Sequence, residues 1–203
     1  MAPLAFDGDL DRAIAAVETA YQRRKRKPMF QITPLCRPAD LPEVLRRRGY
    51  RAEGHSKVYI AKTMDVIAAC EVHNVRDDAK ADFERLVLSG SRSPADGRER
   101  LDILSRIRLP QYRVTAMLEG TGRACGHGGA AKGLVAINLV RTEPDYRRRG
   151  LARCVLGALA RWAASQHSAA LYLCVEEDNV PARTLYESAS FKAVYGYHYL
   201  RKD

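Results

Sequence analysis

The stretch that decides the fold is Pro144-Asp145-Tyr146-Arg147-Arg148-Arg149-Gly150-Leu151-Ala152-Arg153. It follows an apolar run at residues 134–140, typical of a strand, and it opens a helical pattern at residues 151–166. Free N–H groups at a helix start, together with the helix dipole, favour an incoming oxyanion. Gly150 and Ala152 leave this backbone open, and arginines add charge-assisted hydrogen bonds. The stretch therefore predicts a phosphate site made of a strand, a basic turn and a helix.

A solvated basic turn is the alternative interpretation, because short motifs also occur by chance. Only one glycine is present and the basic residues precede the helix, so the stretch is neither a longer phosphate loop nor a dinucleotide-binding turn. The phosphate interpretation assigns binding to the whole segment: Arg147, Arg148, Arg149, Gly150, Leu151, Ala152 and Arg153.

Length and composition set the class of protein. The chain has 203 residues, of which 46% are apolar, enough for one large or two small domains. It has no apolar run long enough to span a bilayer and no basic leader followed by an apolar segment, so we expect a cytoplasmic protein without a membrane partner. The five widely spaced cysteines favour reduced core thiols, and their spacing predicts no metal site.

The formal net charge of +10 calls for a partner or a solvated basic face. Basic runs at residues 23–27 and 46–48 are the candidate footprint for nucleic acid. Both runs fall near the ends of predicted helices, where cations complement the dipole, and neither is interleaved with aromatic residues. Nucleic acid is therefore disfavoured, and part of the charge can serve to concentrate a phosphorylated ligand.

Periodicity predicts alternating helices and strands. Asp9 is the expected cap of a first helix, and residues 63–70 are interpreted as a linker. Further helices are predicted at residues 40–48, 78–88, 96–107, 151–166 and 179–189. Strands are predicted at residues 29–33, 50–52, 57–62, 112–118, 123–127, 134–140, 170–175 and 191–200, with the second and third forming an antiparallel pair.

Two motifs resemble one superfamily. Arg147-x-x-Gly150-x-Ala152 resembles the Arg/Gln-x-x-Gly-x-Gly/Ala signature of the GCN5-related N-acetyltransferases (GNAT). The run Asn179-x-x-Ala182-x-x-Leu185-Tyr186-x-x-x-Ser190-Phe191 resembles a second signature of that superfamily, with Ser190 where glycine is usual. The resemblance covers roughly residues 71–203. It implies an α/β (α+β) GNAT fold, with a central mixed twisted sheet flanked by helices.

The resemblance also implies a chemistry. Acetyl-CoA would be the co-substrate, Tyr186 would give a proton to the departing thiolate, and Asn179 would contact the coenzyme. The backbone of Leu139, Val140 and Thr142 would follow the pantetheine arm. The general base stays open between water, Glu176 and no protein group. Glu143 is interpreted as an exposed turn residue and His127 as a structural histidine.

An internal repeat divides the chain. Residues 141 positions apart share their apolar pattern, pairing Leu10 with Leu151, Ile14 with Val155, Phe30 with Leu171, and Tyr50 with Phe191. We predict a degenerate GNAT-like unit at residues 1–66 and a catalytic domain at residues 67–203. Arg147, Arg148 and Gly150 correspond to Phe6, Asp7 and Asp9, and Tyr186 corresponds to Leu45. The N-terminal unit should therefore bind no coenzyme.

The sequence thus favours an N-acetyltransferase that acts by direct attack of an amine in a ternary complex. The alternatives are an acetyl-CoA-binding sensor without turnover and a basic protein associated with nucleic acid. The acceptor would be a small-molecule or peptide amine, with residues 89–97 and 192–198 expected to line its pocket. The oligomeric state is left open between monomer and homodimer.

Overall fold

The computed structural model describes residues 8–203. Its helices are α1 (Leu10–Arg23), α2 (Leu41–Arg47), α3 (Thr63–Ala69), α4 (Lys80–Ser89), α5 (Pro94–Arg106), α6 (Leu151–Ser165) and α7 (Val180–Ser188). Its strands are β1 (Met29–Ile32), β2 (Arg51–Lys62), β3 (Val75–Arg76), β4 (Gln111–Leu118), β5 (Thr121–Ala131), β6 (Leu134–Thr142), β7 (Ala170–Glu176) and β8 (Lys192–Arg201).

Within the described residues the strands form one eight-stranded sheet in the order β1-β8-β2-β7-β6-β5-β4-β3. The sheet is mixed, because β3, β4, β5 and β6 pair in antiparallel fashion whereas β6 and β7 pair in parallel. The crossover from β6 to β7 passes through α6, the usual way to connect parallel strands. The predicted α/β class with a central mixed sheet flanked by helices is confirmed.

By contact density the chain has two compact units. The first contains described residues up to Val58, together with Val175–Asn179 and Val194–Asp203. Its core contains Ile14, Phe30, Leu45 and Leu200, and Asp9 caps α1 by accepting the Arg12 N–H at 3.0 Å. The second unit contains Tyr59–Cys174 and Val180–Ala193. The proposed boundary between residues 66 and 67 concerns the repeat and stays a prediction.

In the second unit, helices pack on both faces of the sheet. Cys125 of β5 faces a core cluster with Phe83 and Leu86 of α4 and Leu104 of α5. Its neighbour Gly126 faces the other way, since a Cβ built there would lie 2.5 Å from Val155 Cγ1 of α6. Alternate residues of a strand point to opposite faces, so α4 and α5 cover one face and α6 the other.

Two local predictions are wrong. Residues 51–62 form one continuous strand, because Gly54 takes a left-handed φ of 62° without reversing the chain. The supposed linker at residues 63–70 is mostly α3, whose Val66 is fully buried and whose Thr63 hydroxyl donates to the Ser168 carbonyl at 2.7 Å. The apolar residues Val66 and Cys70, four positions apart and both buried, are the helical spacing that the linker interpretation missed.

The element order agrees with the predicted repeat. The segment α1-β1-α2-β2 begins at Leu10, and the segment α6-β7-α7-β8 begins at Leu151. Corresponding positions are buried in both segments: Ile14 and Val155, Phe30 and Leu171, Tyr50 and Phe191. Phe6 and Asp7, which were compared with the arginines of the turn, lie outside the described residues. The copy itself stays a prediction until the two segments are superposed.

Candidate active site

The second half of β6 leaves its parallel neighbour. Pairing with β7 covers Leu134–Ala136 against Ala170–Tyr172, although β6 continues to Thr142. On the other side, Cys125 pairs with Arg141 and His127 with Asn138, so two residues of β6, Leu139 and Val140, oppose Gly126. Leu139 has a left-handed φ of 55°, as expected at a β-bulge. Backbone groups of β6 beyond Ala136 therefore have no ladder partner in β7 and can receive a ligand's amides.

The basic turn leads into an open helix start. After a 3-10 turn at Pro144–Tyr146, Arg148 and Gly150 take left-handed φ values of 63° and 78°. Gly150 is the N-cap residue of α6, no side chain in residues 8–203 caps this helix, and a Cβ built on Gly150 would meet nothing within 4 Å. Arg147, Arg148 and Arg149 are exposed. Unpaired N–H groups, the helix dipole and the arginines together form a candidate anion site.

Arginine contacts hold this turn in place. Arg123 lies over the Tyr146 ring at 4.1 Å from its centroid, and Arg149 lies over it at 5.2 Å. Glu143 accepts hydrogen bonds from Arg123, at 2.8 Å, and from Arg85. Burial raises the pKa of the Glu143 carboxyl, but these two bonds outweigh it and the pKa is lowered. The interpretation of Glu143 as an exposed turn residue is wrong, because its side chain is 18% exposed and paired.

Arg153 differs from the arginines of the turn. Its guanidinium donates to the Ser188 carbonyl at 3.2 Å, to Ser188 Oγ at 3.0 Å, and to the Ala69 carbonyl. The side chain therefore joins α6 to the ends of α7 and α3. The group of Arg153 that is available to a ligand is its backbone N–H in the first turn of α6.

Tyr186 is a buried phenol on α7. It is 9% exposed, and its ring packs edge-on against Phe191 with 6.0 Å between centroids. Burial raises the pKa of Tyr186 to about 12, with Arg141 acting in the opposite direction. Ser190 takes a left-handed φ of 71°, so the turn that usually contains glycine forms with serine, and Phe191 donates to the Tyr186 carbonyl at 3.0 Å.

The remaining candidates have separate positions. Asn179 directly precedes α7 and its N–H donates to the Glu176 carbonyl at 3.1 Å. His127 is 1% exposed, and its Nε2 lies 3.2 Å from Gln111 Oε1. Burial, followed by the nearby Arg113, lowers the pKa of His127 to about 4, so this histidine is a neutral structural group at neutral pH.

One site residue was missed by sequence reasoning. Arg141 lies on β6 between Val140 and Thr142, and its Nε is buried without a hydrogen-bond partner in the described part of the chain. An arginine beside a basic turn gives no sequence signal of its direction, because the bulge at Leu139 changes which face the following residues point to.

Residues 8–203 contain no group of three or more histidine, cysteine, aspartate or glutamate side chains placed to hold a metal ion. No helix among them combines the length and apolar character that a bilayer crossing requires.

The fold is shared with solved N-acetyltransferases. A GCN5-related N-acetyltransferase from Kribbella flavida has a TM-score of 0.73 at 16% identity, with 98% of this chain and 78% of that chain covered. One from Sphaerobacter thermophilus has a TM-score of 0.73 at 17% identity, covering 95% and 67%. A tandem GNAT protein from the clavulanic acid biosynthesis pathway has a TM-score of 0.68 at 10% identity, covering 94% and 68%.

The family follows from the sequence match. The model of the acetyltransferase (GNAT) family matches residues 29–191, which is most of the chain. The protein therefore belongs to the GNAT acetyltransferase family, as the two motifs predicted. A comparison with curated protein sequences finds no significant match.

Proposed function

We propose that this protein is a cytoplasmic N-acetyltransferase that moves an acetyl group from acetyl-CoA to a small-molecule or peptide amine by direct attack in a ternary complex. The observation that carries the proposal is the start of α6, left-handed at Gly150 and without a side-chain cap, directly after a strand that separates from its parallel neighbour. The five cysteines, all free in the described chain, agree with a reducing compartment.

The residues of this site fit an acyl-coenzyme. The N–H groups of Leu151, Ala152 and Arg153 and the exposed side chains of Arg147, Arg148 and Arg149 suit a pyrophosphate. The backbone of Leu139, Val140 and Thr142, which lies beyond the part of β6 that pairs with β7, suits the amides of an extended arm. Asn179, at the start of α7, would add a polar contact. The bound coenzyme supplies the activated acetyl thioester, and the protein supplies orientation and a proton.

Tyr186 is the proposed proton donor. Because burial raises its pKa to about 12, the phenol keeps its proton at neutral pH. The hydroxyl has no hydrogen-bond partner within residues 8–203, so its proton is not committed to another protein group. In the proposed step the proton on Tyr186 Oη goes to the departing thiolate sulfur while the amine takes the acetyl group and releases its own proton to solvent.

The N-terminal segment would have a structural task. We propose that residues 1–66 are a degenerate copy that binds no coenzyme and that residues 67–203 form the catalytic domain. The matching starts of α1 and α6, 141 residues apart, support this division. A tandem GNAT protein among the structural neighbours shows that two such units occur in one chain elsewhere.

The test measures free thiol released from acetyl-CoA with a panel of amines. Tyr186→Phe should keep the affinity for coenzyme A and lower kcat by on the order of tenfold to a thousandfold. Tyr112→Phe is the matched control, because Tyr112 is also partly buried but stacks on Trp162 at 5.6 Å and takes no part in the proposed site. If the protein binds the coenzyme but releases no thiol from acetyl-CoA with any amine, the proposed enzyme activity is refuted and the acetyl-CoA-binding sensor is favoured.

A further inference from the structure

Arg141 points away from the face covered by α6. It pairs directly with Cys125, which faces the cluster of α4 and α5, and opposed residues of paired strands share a face. A Cβ built on Gly90, at the end of α4, would lie 2.8 Å from Arg141 Cδ and 3.3 Å from its Nε. The guanidinium therefore reaches toward the join between α4 and α5, whereas the anion site at the start of α6 belongs to the helix on the opposite face.

No carboxylate in the described chain pairs with this guanidinium. The next acid along the strand, Glu143, is bound by Arg85 and Arg123. Asp82 of α4 is bound by Arg85 at 2.9 Å and by the Gly122 N–H at 3.2 Å. Arg141 takes part in no ion pair within residues 8–203, and its Nε is buried and unsatisfied. The side chain as a whole is half-buried, and only its Nε is both buried and unsatisfied. An unsatisfied buried donor is unfavourable, so a ligand that accepts from Nε would gain binding energy here.

The position of Arg141 connects it to the reaction. The side chain of Arg141 lies against Gly90, in the segment at residues 89–97 that is expected to line the acceptor pocket. Its charge also lowers the pKa of Tyr186, which burial raises. Arg141 also lies between Val140 and Thr142, the backbone positions proposed for the pantetheine arm. An anion bound by Arg141 would therefore lie between the proposed path of the pantetheine arm and the segment at residues 89–97. This is where an acceptor, rather than the coenzyme's pyrophosphate, has to be held.

We propose that Arg141 binds a carboxylate of the acceptor, so that the substrate is an amine that also carries a carboxylate, such as an amino acid. This inference rests on the proposed function. Arginine suits the role because its planar fork binds both carboxylate oxygens and because the guanidinium is always protonated. The join between α4 and α5 falls within residues 89–97. It would then lie against the carboxylate end of the acceptor.

The test compares acids with their amides in two assays. The first measures thermal stabilisation of the coenzyme A-loaded protein by N-acetyl amino acids and by their carboxamides. The second measures kcat/KM by thiol release with the amino acids and their carboxamides. We expect the parent to prefer the acid in both assays. For at least one pair of acid and carboxamide, binding and kcat/KM should differ by about tenfold to a hundredfold, which is the range expected for a charge-assisted hydrogen bond.

Three variants give the control. Arg141→Met should lose the preference for acids and keep stabilisation by coenzyme A, and it should fold, because it removes a buried unsatisfied Nε and breaks no ion pair within residues 8–203. Arg141→Lys should keep part of the preference, since it keeps the charge and loses the fork. Arg147→Met, in the exposed turn, should have the opposite effect to Arg141→Met. It should weaken the binding of coenzyme A and keep the preference for acids over carboxamides.

The outcomes separate the two proposals. Equal binding and equal turnover of acids and amides by the parent would overturn the inference and leave the acetyltransferase intact. A preference that survives in Arg141→Met would overturn it as well, and loss of coenzyme A binding in that variant would assign Arg141 to the coenzyme instead. Preferential binding of acids without thiol release from any amine would support the carboxylate site and refute the proposed function.

Discussion

Replacing Gly150 by aspartate tests the anion site at the start of α6. A Cβ built on Gly150 would meet nothing within 4 Å, so the cost of a side chain there comes from the left-handed φ of 78°. Aspartate and asparagine tolerate such a backbone better than other side chains do, so both variants should fold with a similar backbone cost. Aspartate also complements the helix dipole, worth about 0.3 to 1 kcal/mol, so the ligand-free Asp variant should melt no lower than the Asn variant.

The ligand should reverse this order. A carboxylate about 4 Å from one pyrophosphate charge costs about 1 kcal/mol in water and about 4 kcal/mol at an effective dielectric constant of about 20. Affinity for coenzyme A should therefore fall by about tenfold to a thousandfold in Gly150→Asp and much less in Gly150→Asn. At about 100 times the parent Kd, coenzyme A stabilises the parent by about 2.7 kcal/mol, or roughly 5 to 10 °C in Tm, and the Asp variant should show at most about half of that shift.

The assay is a thermal melt of the parent and both variants with and without coenzyme A, repeated at high salt. Salt should restore part of the shift in the Asp variant, because the site is exposed and the repulsion is screened. Equal protection of the Asp and Asn variants would show that no phosphate lies near Gly150, and the assignment of the basic turn would then fail.

Three further predictions test the description of the second unit. Acidification from about pH 6.5 to 4 should lower the free energy of unfolding by up to about 3 kcal/mol, because buried His127, with a pKa of about 4, stays neutral while the unfolded chain takes up a proton. In His127→Gln, the free energy of unfolding measured in urea should depend less on pH over that range. Ser190→Gly should raise the free energy of unfolding measured in urea by about 1 kcal/mol, since it relieves a left-handed φ of 71°. Ser190→Ala should not raise it. Arg153→Met should cost about 1 to 3 kcal/mol in urea unfolding without changing the Kd for coenzyme A, because its guanidinium binds Ser188 and Ala69; a weaker Kd would return that side chain to the coenzyme site.

Elements with strong apolar periodicity were predictable from the sequence. The predicted helix at residues 151–166 and the structure's Leu151–Ser165 agree closely, because buried Leu151, Val155 and Leu159 recur at helical spacing. The hairpin predicted around Gly54 failed, since composition marks a glycine but not whether its positive φ reverses the chain or merely bends a strand. The fold class was therefore accessible, and the local path of β2 was not.

Tertiary contacts decided the rest of the site. The motif positions of Gly150 and Tyr186 were readable because their spacing is local. The direction of Arg141 was not, because it depends on a bulge that pairs two residues of β6 with Gly126. The pairing of Glu143 with Arg85 and Arg123 likewise joins residues far apart in the sequence, so a carboxylate before a proline looked like an exposed turn residue.

The strand order also determines when the sheet can form during synthesis. β8 lies between β1 and β2, and Phe30 is opposite Leu200. A ribosome adds roughly 5 to 20 residues per second, so β1 and β2 leave it on the order of ten seconds before the strand that will separate them. Throughout that interval their edges are open to pairing with each other or with another nascent chain. The sheet of the first compact unit is therefore complete only after β8 has been made. A message truncated before Lys192 would yield β1 and β2 without the strand that pairs with both.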